Sequence, residues 1–261
     1  MNHPLPKVSV VTPSYNQGKF LEQTIQSVLS QDYPNIEYIV MDGGSTDASP
    51  QIIQKYNHRL TYWVSAKDRG QASAIVKGFE KATGEIFAYL NSDDYWMPNT
   101  VSTAVNYLLN HPQVDMVCGN RIVVNESGKI RYYRPWWNFG FKSPFIYFLI
   151  TQESAFWRKS IYEKIGGINP DFKFAMDYDL FARISKKGHI AHCRDLWAYF
   201  RKHADSKTQK EFYTLGRIEM QKVQKEQYGK IVPKWQQWVV FNVYRILYVL
   251  KSIFVRPKIK G

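Results

Sequence analysis

The sequence predicts an α/β fold, a parallel Rossmann-like sheet covered by helices, and three observations carry that prediction. Short β-branched or apolar runs alternate with helically spaced segments from residue 7 to residue 95, the strand–helix–strand order of a wound sheet. Each run ends in a loop of small and polar residues, where such sheets place their ligands. Hydrophobic residues make up 44% and charged residues 22% of the 261. That composition supports a substantial core in one domain, or in one domain with an appendage.

Lys7–Thr12 is short and β-branched, the first strand. Pro13-Ser14-Tyr15-Asn16-Gln17-Gly18 breaks it, and Phe20–Leu29 resumes with helical spacing. Ile36–Met41 is the second strand and runs into Asp42-Gly43-Gly44-Ser45-Thr46-Asp47. Glycines there let backbone approach a nucleotide, and Asp42 can accept from ribose or base. The same residues also serve as a turn and helix N-cap. The loop is neither GxGxxG nor a P-loop, so neither a dinucleotide cofactor nor a Walker-type NTPase is supported. Ser49–Tyr56 reads as a helix, Leu60–Val64 as a strand and Gln71–Lys81 as a helix. The next strand, Ile86–Leu90, ends in Asn91-Ser92-Asp93-Asp94. Two adjacent carboxylates at a strand end can hold a hard divalent cation, which takes one or two protein carboxylates and completes its shell with water and phosphate oxygens. A polar turn uses the same residue types.

From Val114 the pattern changes. Val114–Gly119 and Arg121–Val124 predict two sheet strands joined by a turn. Tyr132–Ile150 is dense in aromatics, interleaved at its start with Arg131 and Arg134 and later with Lys142. It suits a core, a sugar- or lipid-contacting surface, or single-stranded nucleic acid. No RRM, KH, zinc-finger or helix-turn-helix signature accompanies it, so nucleic acid is not an expected partner. Gln152–Arg158 precedes a helix over Ser160–Ile165, ended by Gly166-Gly167. Phe174–Leu180 opens another helix through Ile184, on which Asp177 and Asp179 point to different sides. They have separate jobs, or both are first-turn acids favoured by the helix dipole. In Tyr199–Thr208 one histidine, His203, stands among bases and hydroxyls. That set suits a diphosphate and its metal, or a structural histidine.

The net charge of +13, from 35 basic and 22 acidic residues, implies an anionic partner. Cys118 and Cys193 form no CxxC, which argues against a disulfide scaffold or thiolate metal site. Met1–Lys7 lacks the apolar core of a signal peptide, so a cytoplasmic location is expected. Phe212–Tyr228 reads as a polar surface helix. Trp235–Val255 is apolar and aromatic but interrupted by Arg245 and Lys251, leaving no uncharged run long enough to span a bilayer. With Arg256, Lys258 and Lys260 behind it, it predicts an interfacial helix on the anionic inner face of the cell membrane. The alternative is a helix packed on the catalytic body or on a second copy in a homodimer.

Taken together, Val10–Asn16, Asp42–Asp47, Asp68-Arg69-Gly70-Gln71, Gly84-Glu85-Ile86 and Leu90–Asp94 resemble the GT-A glycosyltransferases of family 2 over residues 7–208. The combination is specific although each piece alone is weak. The resemblance implies a Rossmann-like mixed sheet flanked by helices as the catalytic domain, residues 1–208. Its nucleotide-binding half would cover about 1–115 and its acceptor half about 116–208, with 209–261 a C-terminal amphipathic helical appendage. It implies inverting, Mn²⁺- or Mg²⁺-dependent transfer from a nucleotide-diphosphate sugar to a saccharide or lipid-linked saccharide hydroxyl in cell-surface glycan synthesis. By resemblance, Pro13, Tyr15, Asp42, Asp68, Gln71, Ser92 and Lys207 contact the nucleotide. Tyr15 and Asp42 suit uridine and leave thymidine and guanosine open. Asp93 matches the metal-binding acid of the family's DxD motif, with Asp94 beside it and His203 closing over the metal and diphosphate; Asn91 stands where many members have the first Asp. Asp177 matches the catalytic base, and Glu153 and Trp157 the acceptor site. Two other classes compete. A sugar-phosphate nucleotidyltransferase would need a basic, glycine-rich N-terminal loop, and Pro13–Gly18 has no Lys or Arg. A non-catalytic sugar- or lipid-binding membrane adaptor would rest on the aromatic segment and the tail.

Overall fold

Alternation along the first strands decides which side of the sheet each residue faces. Val8, Val10, Tyr38, Val40, Ile86 and Ala88 belong to one buried cluster, and Val11, Ile39, Met41, Phe87 and Tyr89 to the other. A strand buried on both faces reads as a continuous apolar run, which is how these strands appear in the sequence. The computed structural model describes residues 5–134, 141–240, 242, 243 and 246. Trp136, Trp137 and Phe139 of the aromatic segment, and most of the apolar tail, lie outside the described residues.

The nucleotide-side elements follow the expected order: β1 (Val8–Ser14), α1 (Gly18–Leu29), β2 (Ile36–Asp42), α2 (Ser49–Lys55), β3 (Tyr62–Ser65), α3 (Gln71–Lys81) and β4 (Ile86–Tyr89). β5 (Tyr95–Trp96), α4 (Thr100–Asn110), β6 (Met116–Asn125), β7 (Ile130–Arg134) and α5 (Ile146–Leu149) come next. β8 (Ala155–Arg158), α6 (Lys159–Lys164), α7 (Met176–Lys187), β9 (Ile190–Lys202), α8 (Lys207–Glu211) and α9 (Arg217–Tyr228) complete the fold. The sheet order is β3-β2-β1-β4-β8-β6-β9-β5, with β7 paired to β6. β1 to β4 are mutually parallel, whereas β8 runs antiparallel to both β4 and β6. The sheet is therefore mixed, and α1 and α4 bury their apolar stripes on one face while α3 and α7 cover the other.

Two sequence readings are corrected, and a third element was missed. The break expected after Gly119 is absent, because β6 runs through it. Gly119 lies under Trp197, and a Cβ there would sit 2.3 Å from Trp197 Cδ2. The glycine answers a close approach rather than a turn. The second concerns Phe212–Tyr228, which is not one surface helix. It begins with a five-residue π turn, Phe212–Gly216, before α9, and Met220 and Val223 of α9 are buried in the core. Third, Val101, Ala104, Val105 and Leu108 carry the i, i+3, i+4, i+7 spacing of α4, all fully buried; that helix was not anticipated.

Candidate active site

The loops after β1, β2 and β4 open at the same sheet edge, because those strands are parallel. The turn after β4 is the most heavily fixed of them. Thr24 Oγ1 on α1 lies 2.9 Å from the Ser92 carbonyl and 2.7 Å from that of Asp94. Arg201, near the end of β9, grips the turn from the other side. Its backbone N–H donates to Asp94 Oδ1 at 2.8 Å and its Nε to the Asp93 carbonyl at 3.0 Å. Its remaining guanidinium nitrogens reach the Glu126 carbonyl and Gln23 Oε1, and the guanidinium lies over the rings of Phe20 and Tyr95.

The two acids of the turn consequently part. Asp94 is 1% exposed, and burial, with Asp93 and Glu153 adding to it, pushes its carboxyl well above the ordinary range. Asp93 stays half-buried and its Oδ2 lies 3.0 Å from His203 Nε2. Among the described residues no three His, Cys, Asp or Glu side chains gather in a metal-binding group. Of the expected trio Asp93, Asp94 and His203, Asp94 is turned into the backbone of β9, and Asp93 and His203 form a pair. The pair itself fits a hard cation. Neighbouring ligands of an octahedral ion at about 2.1 Å lie about 3 Å apart, and such ions need few protein ligands.

A second network ties the turn to the far side of the site. Lys207 Nζ donates to Gln71 Oε1 at 3.2 Å, Gln71 Nε2 to Asn91 Oδ1 at 2.7 Å, Asn91 Nδ2 to Gln152 Oε1 at 3.1 Å, and Gln152 Nε2 to the Tyr89 carbonyl at 2.8 Å. An ammonium can only donate and a carbonyl only accept, so both ends force every amide in between into one orientation. Asn91 is the middle link of that chain. Lys207 also donates to the Lys173 carbonyl, and burial lowers its pKa.

Asp177 sits in the first turn of α7. The start of that helix is held by Glu219 of α9, whose carboxylate accepts the backbone N–H groups of Lys173, Phe174 and Ala175 at 2.9, 2.7 and 2.9 Å. Burial raises the Asp177 carboxyl above its ordinary pKa; its hydrogen bond from the Tyr178 N–H and the Lys207 charge oppose this, and Glu153 adds to it. Asp177, Glu153 and Asp94 all add to the burial that raises the phenol of Tyr89. The charges of these three carboxylates are thus felt at the end of β4. Asp179 faces elsewhere, in an ion pair with Arg183 at 2.6 Å, so the two acids of α7 do have separate jobs.

The remaining expected site residues divide by access. Tyr15 is 62% exposed, and Asp68 and Gln71 are half-buried at the same edge. Pro13 and Ser92 are buried, and Asp42, 1% exposed, has its carboxylate committed to the Ser45 N–H and the hydroxyls of Ser45 and Ser65. Asp42 therefore shapes its loop. Trp157 and Glu153, expected at the acceptor site, are both closed off from solvent. Trp157 is 0% exposed, packed among Phe79, Tyr89 and Tyr162. Glu153 is 2% exposed, with both oxygens accepting from Arg121 Nη1 at 2.9 and 3.1 Å. Arg121, Arg201 and Gln152 were not anticipated, and Asn91 was noted only as a departure. Arg201 stood beside His203 in a basic cluster, which was a usable signal; Arg121 had none.

The sequence profile of glycosyl transferase family 2 matches residues 9–205. A glycosyltransferase of Rickettsia typhi, described as uncharacterized, is 29% identical over 191 residues, 69% of this chain and 60% of its own length. The chain thus spans less than two thirds of that relative. S. aureus TarS 1–349, solved in complex with UDP-GlcNAc, superposes with a TM-score of 0.69 at 21% identity, covering 84% of this chain and 66% of that one. The mannosyltransferase PcManGT from Pyrobaculum calidifontis, solved with GDP-Man and Mn²⁺, gives 0.64 at 22% identity, covering 87% and 66%. These two structures share the fold.

The buried Arg121–Glu153 pair yields a stability prediction. Glu153→Ala strands a buried guanidinium and should cost roughly 3–5 kcal/mol in urea unfolding. The double change Arg121→Met with Glu153→Leu should recover most of the loss. A Glu153→Ala protein as stable as wild type would return Glu153 to a substrate role.

Proposed function

The chain belongs to glycosyl transferase family 2, and from that membership and the geometry above we propose that it moves a sugar from a nucleotide-diphosphate sugar to an acceptor hydroxyl with inversion. The observation that carries this reading is the Asp93–His203 pair at the turn after β4, tied through Asn91 and Gln71 to Lys207, whose charge acts on Asp177. One position suits a diphosphate, the other a proton acceptor.

Tyr15, Asp68 and Gln71 receive the nucleotide at the open sheet edge. Asp93 and His203 would hold Mn²⁺ or Mg²⁺, which supplies neutralisation of the charge developing on the departing diphosphate. Lys207, its position set by Gln71, adds a cation beside the same group. Asp177 takes the proton from the acceptor hydroxyl as that oxygen attacks the anomeric carbon from the face opposite the leaving group. The anomeric carbon–oxygen bond to the diphosphate breaks, and its electron pair leaves with the nucleotide. One base with no second nucleophilic carboxylate gives inversion. UDP is the favoured donor nucleotide, and the acceptor is a saccharide or lipid-linked saccharide in cell-surface glycan synthesis. Residues 1–208 form the catalytic unit in this reading.

The tail supports a membrane-surface location. Trp235, Trp238, Val239, Val243 and Ile246 are 64%, 67%, 41%, 41% and 59% exposed, and their spacing places them along one helix face. No helix among the described residues is long and apolar enough to cross a membrane. An exposed apolar stripe on a basic chain suits the interface of an anionic bilayer at the inner face of the cell membrane.

Asp177→Asn should lower nucleotide release from a panel of UDP-, GDP- and dTDP-sugars by roughly 10²–10⁴-fold, with nucleotide affinity unchanged. An active variant would overturn the base assignment. The wild-type rate should fall as pH drops through the raised Asp177 pKa, since the base acts only when ionised. That acid limb should lie at higher pH than an ordinary aspartate would give; a limb at the ordinary carboxylate range would contradict it. Deleting residues 234–261 should abolish cosedimentation with phosphatidylglycerol-containing vesicles, and undiminished binding would remove the tail from membrane attachment.

A further inference from the structure

Beyond His203 lies a cavity of about 380 Å³, lined by Asn125, Glu126, Arg131, Lys202, His203, Ala204 and Gln209. We propose that this cavity is an anion site separate from the nucleotide site, and that it receives a phosphate or carboxylate carried by the acceptor. The acceptor is then an anionic glycan, an inference that rests on the transferase reading.

Charge distribution carries the assignment. The two acids near the cavity have their own partners: Glu126 is paired with Lys19 and Asp205 with Lys210 at 2.8 Å. Neither Arg131 nor Lys202 has an ion pair or hydrogen bond through its side chain among the described residues. Two cations thus line one cavity in which the acid Glu126 is already paired with Lys19. The neutral groups beside them are poised to donate as well. Asn125 Oδ1 accepts from Ser127 Oγ at 2.9 Å and from the Lys129 N–H at 2.8 Å, which leaves its Nδ2 uncommitted among the described residues, and the Gln209 amide adds another donor.

Backbone geometry places Arg131 deliberately. β6 and β7 pair Val123 with Tyr132 but Val124 with Ile130, so Arg131 is the extra residue of a β-bulge. A bulge bends its strand and re-aims a side chain. On the other side of β6, Asn125 is in register with Lys202. Arg131 and Lys202 therefore flank the same end of β6 from its two neighbouring strands.

The cavity is distinct from the donor side. It opens towards the β6–β7 hairpin and α8, whereas Lys207 points the other way, to Gln71 of α3 and the Lys173 carbonyl. Only His203 is common to both. A volume of this size admits a sugar unit together with its charged substituent, so an anionic group of the acceptor can be received here.

The test titrates inorganic phosphate into the full chain, with and without saturating UDP, for wild type and the Arg131→Ala/Lys202→Ala variant. Saturable phosphate binding should persist with UDP bound and weaken by roughly tenfold or more in the variant, the loss expected for charge-assisted contacts. UDP affinity should stay within about threefold, because neither substituted residue lies in the donor site. No phosphate binding, displacement of phosphate by UDP, or equal binding by the variant overturns the proposal. A parallel loss of UDP affinity also overturns it and moves both cations to the donor diphosphate. A wild type that binds phosphate but no UDP, GDP or dTDP would fail the transferase reading alone.

Discussion

Two carboxylates side by side at the buried end of a strand repel each other, and the way this chain resolves that repulsion sets up its site. Arg201 is the agent. Its backbone N–H takes Asp94 inward and its Nε takes the Asp93 carbonyl, while Asp93's side chain turns out to His203. A carboxylate that is buried and favours its proton makes a poor ligand for a hard cation; one that is half-exposed beside an imidazole makes a good one. The two acids therefore differ in burial and in partner. The guanidinium also reaches the Glu126 carbonyl and Gln23, so α1, the β6–β7 hairpin and β9 are all referenced to the same turn.

The other half of the site is referenced to that turn through side-chain amides. Lys207, Gln71, Asn91 and Gln152 form a directional chain ending on the Tyr89 carbonyl. A partly satisfied chain of this kind would be costly in a low-dielectric setting, and a fully satisfied one fixes geometry. Asparagine at 91 can donate and accept at once; an aspartate there could only accept when ionised, and Gln152 Oε1 would lose its donor. The residue that departs from the family's DxD pattern is thus the one the amide chain requires. Glu219 does the corresponding task for Asp177, by capping the backbone that leads into α7.

Much of this was legible in the sequence, and the boundary follows from physics. Strand alternation, helix spacing and loop composition are local, and they placed β1 to β4 and α1 to α3 within a residue or two. Asp93 and Asp177 stood out as acids at a strand end and in a helix's first turn, and Tyr15 was marked only by the family resemblance; all three reach solvent. Burial was not legible. Trp157 and Glu153 were placed at the acceptor site by resemblance, yet both are closed over, and Glu153's partner Arg121 is 32 positions away. Arg201 and Asp94 are 107 apart. Gly119 was read as a turn because glycine carries two meanings, a bend or a close approach, and only the ring of Trp197 decides between them.

The division of the two acids is most directly tested by thermal unfolding with UDP, GDP and dTDP, each with and without Mn²⁺, on wild type, Asp93→Ala and His203→Ala. A nucleotide at about 100 times its dissociation constant adds about 2.7 kcal/mol, enough to raise the melting temperature by several degrees. The account predicts a Mn²⁺-dependent rise with one nucleotide diphosphate, lost in both variants. A rise that survives Asp93→Ala, or no rise with any of the three nucleotides, would contradict it.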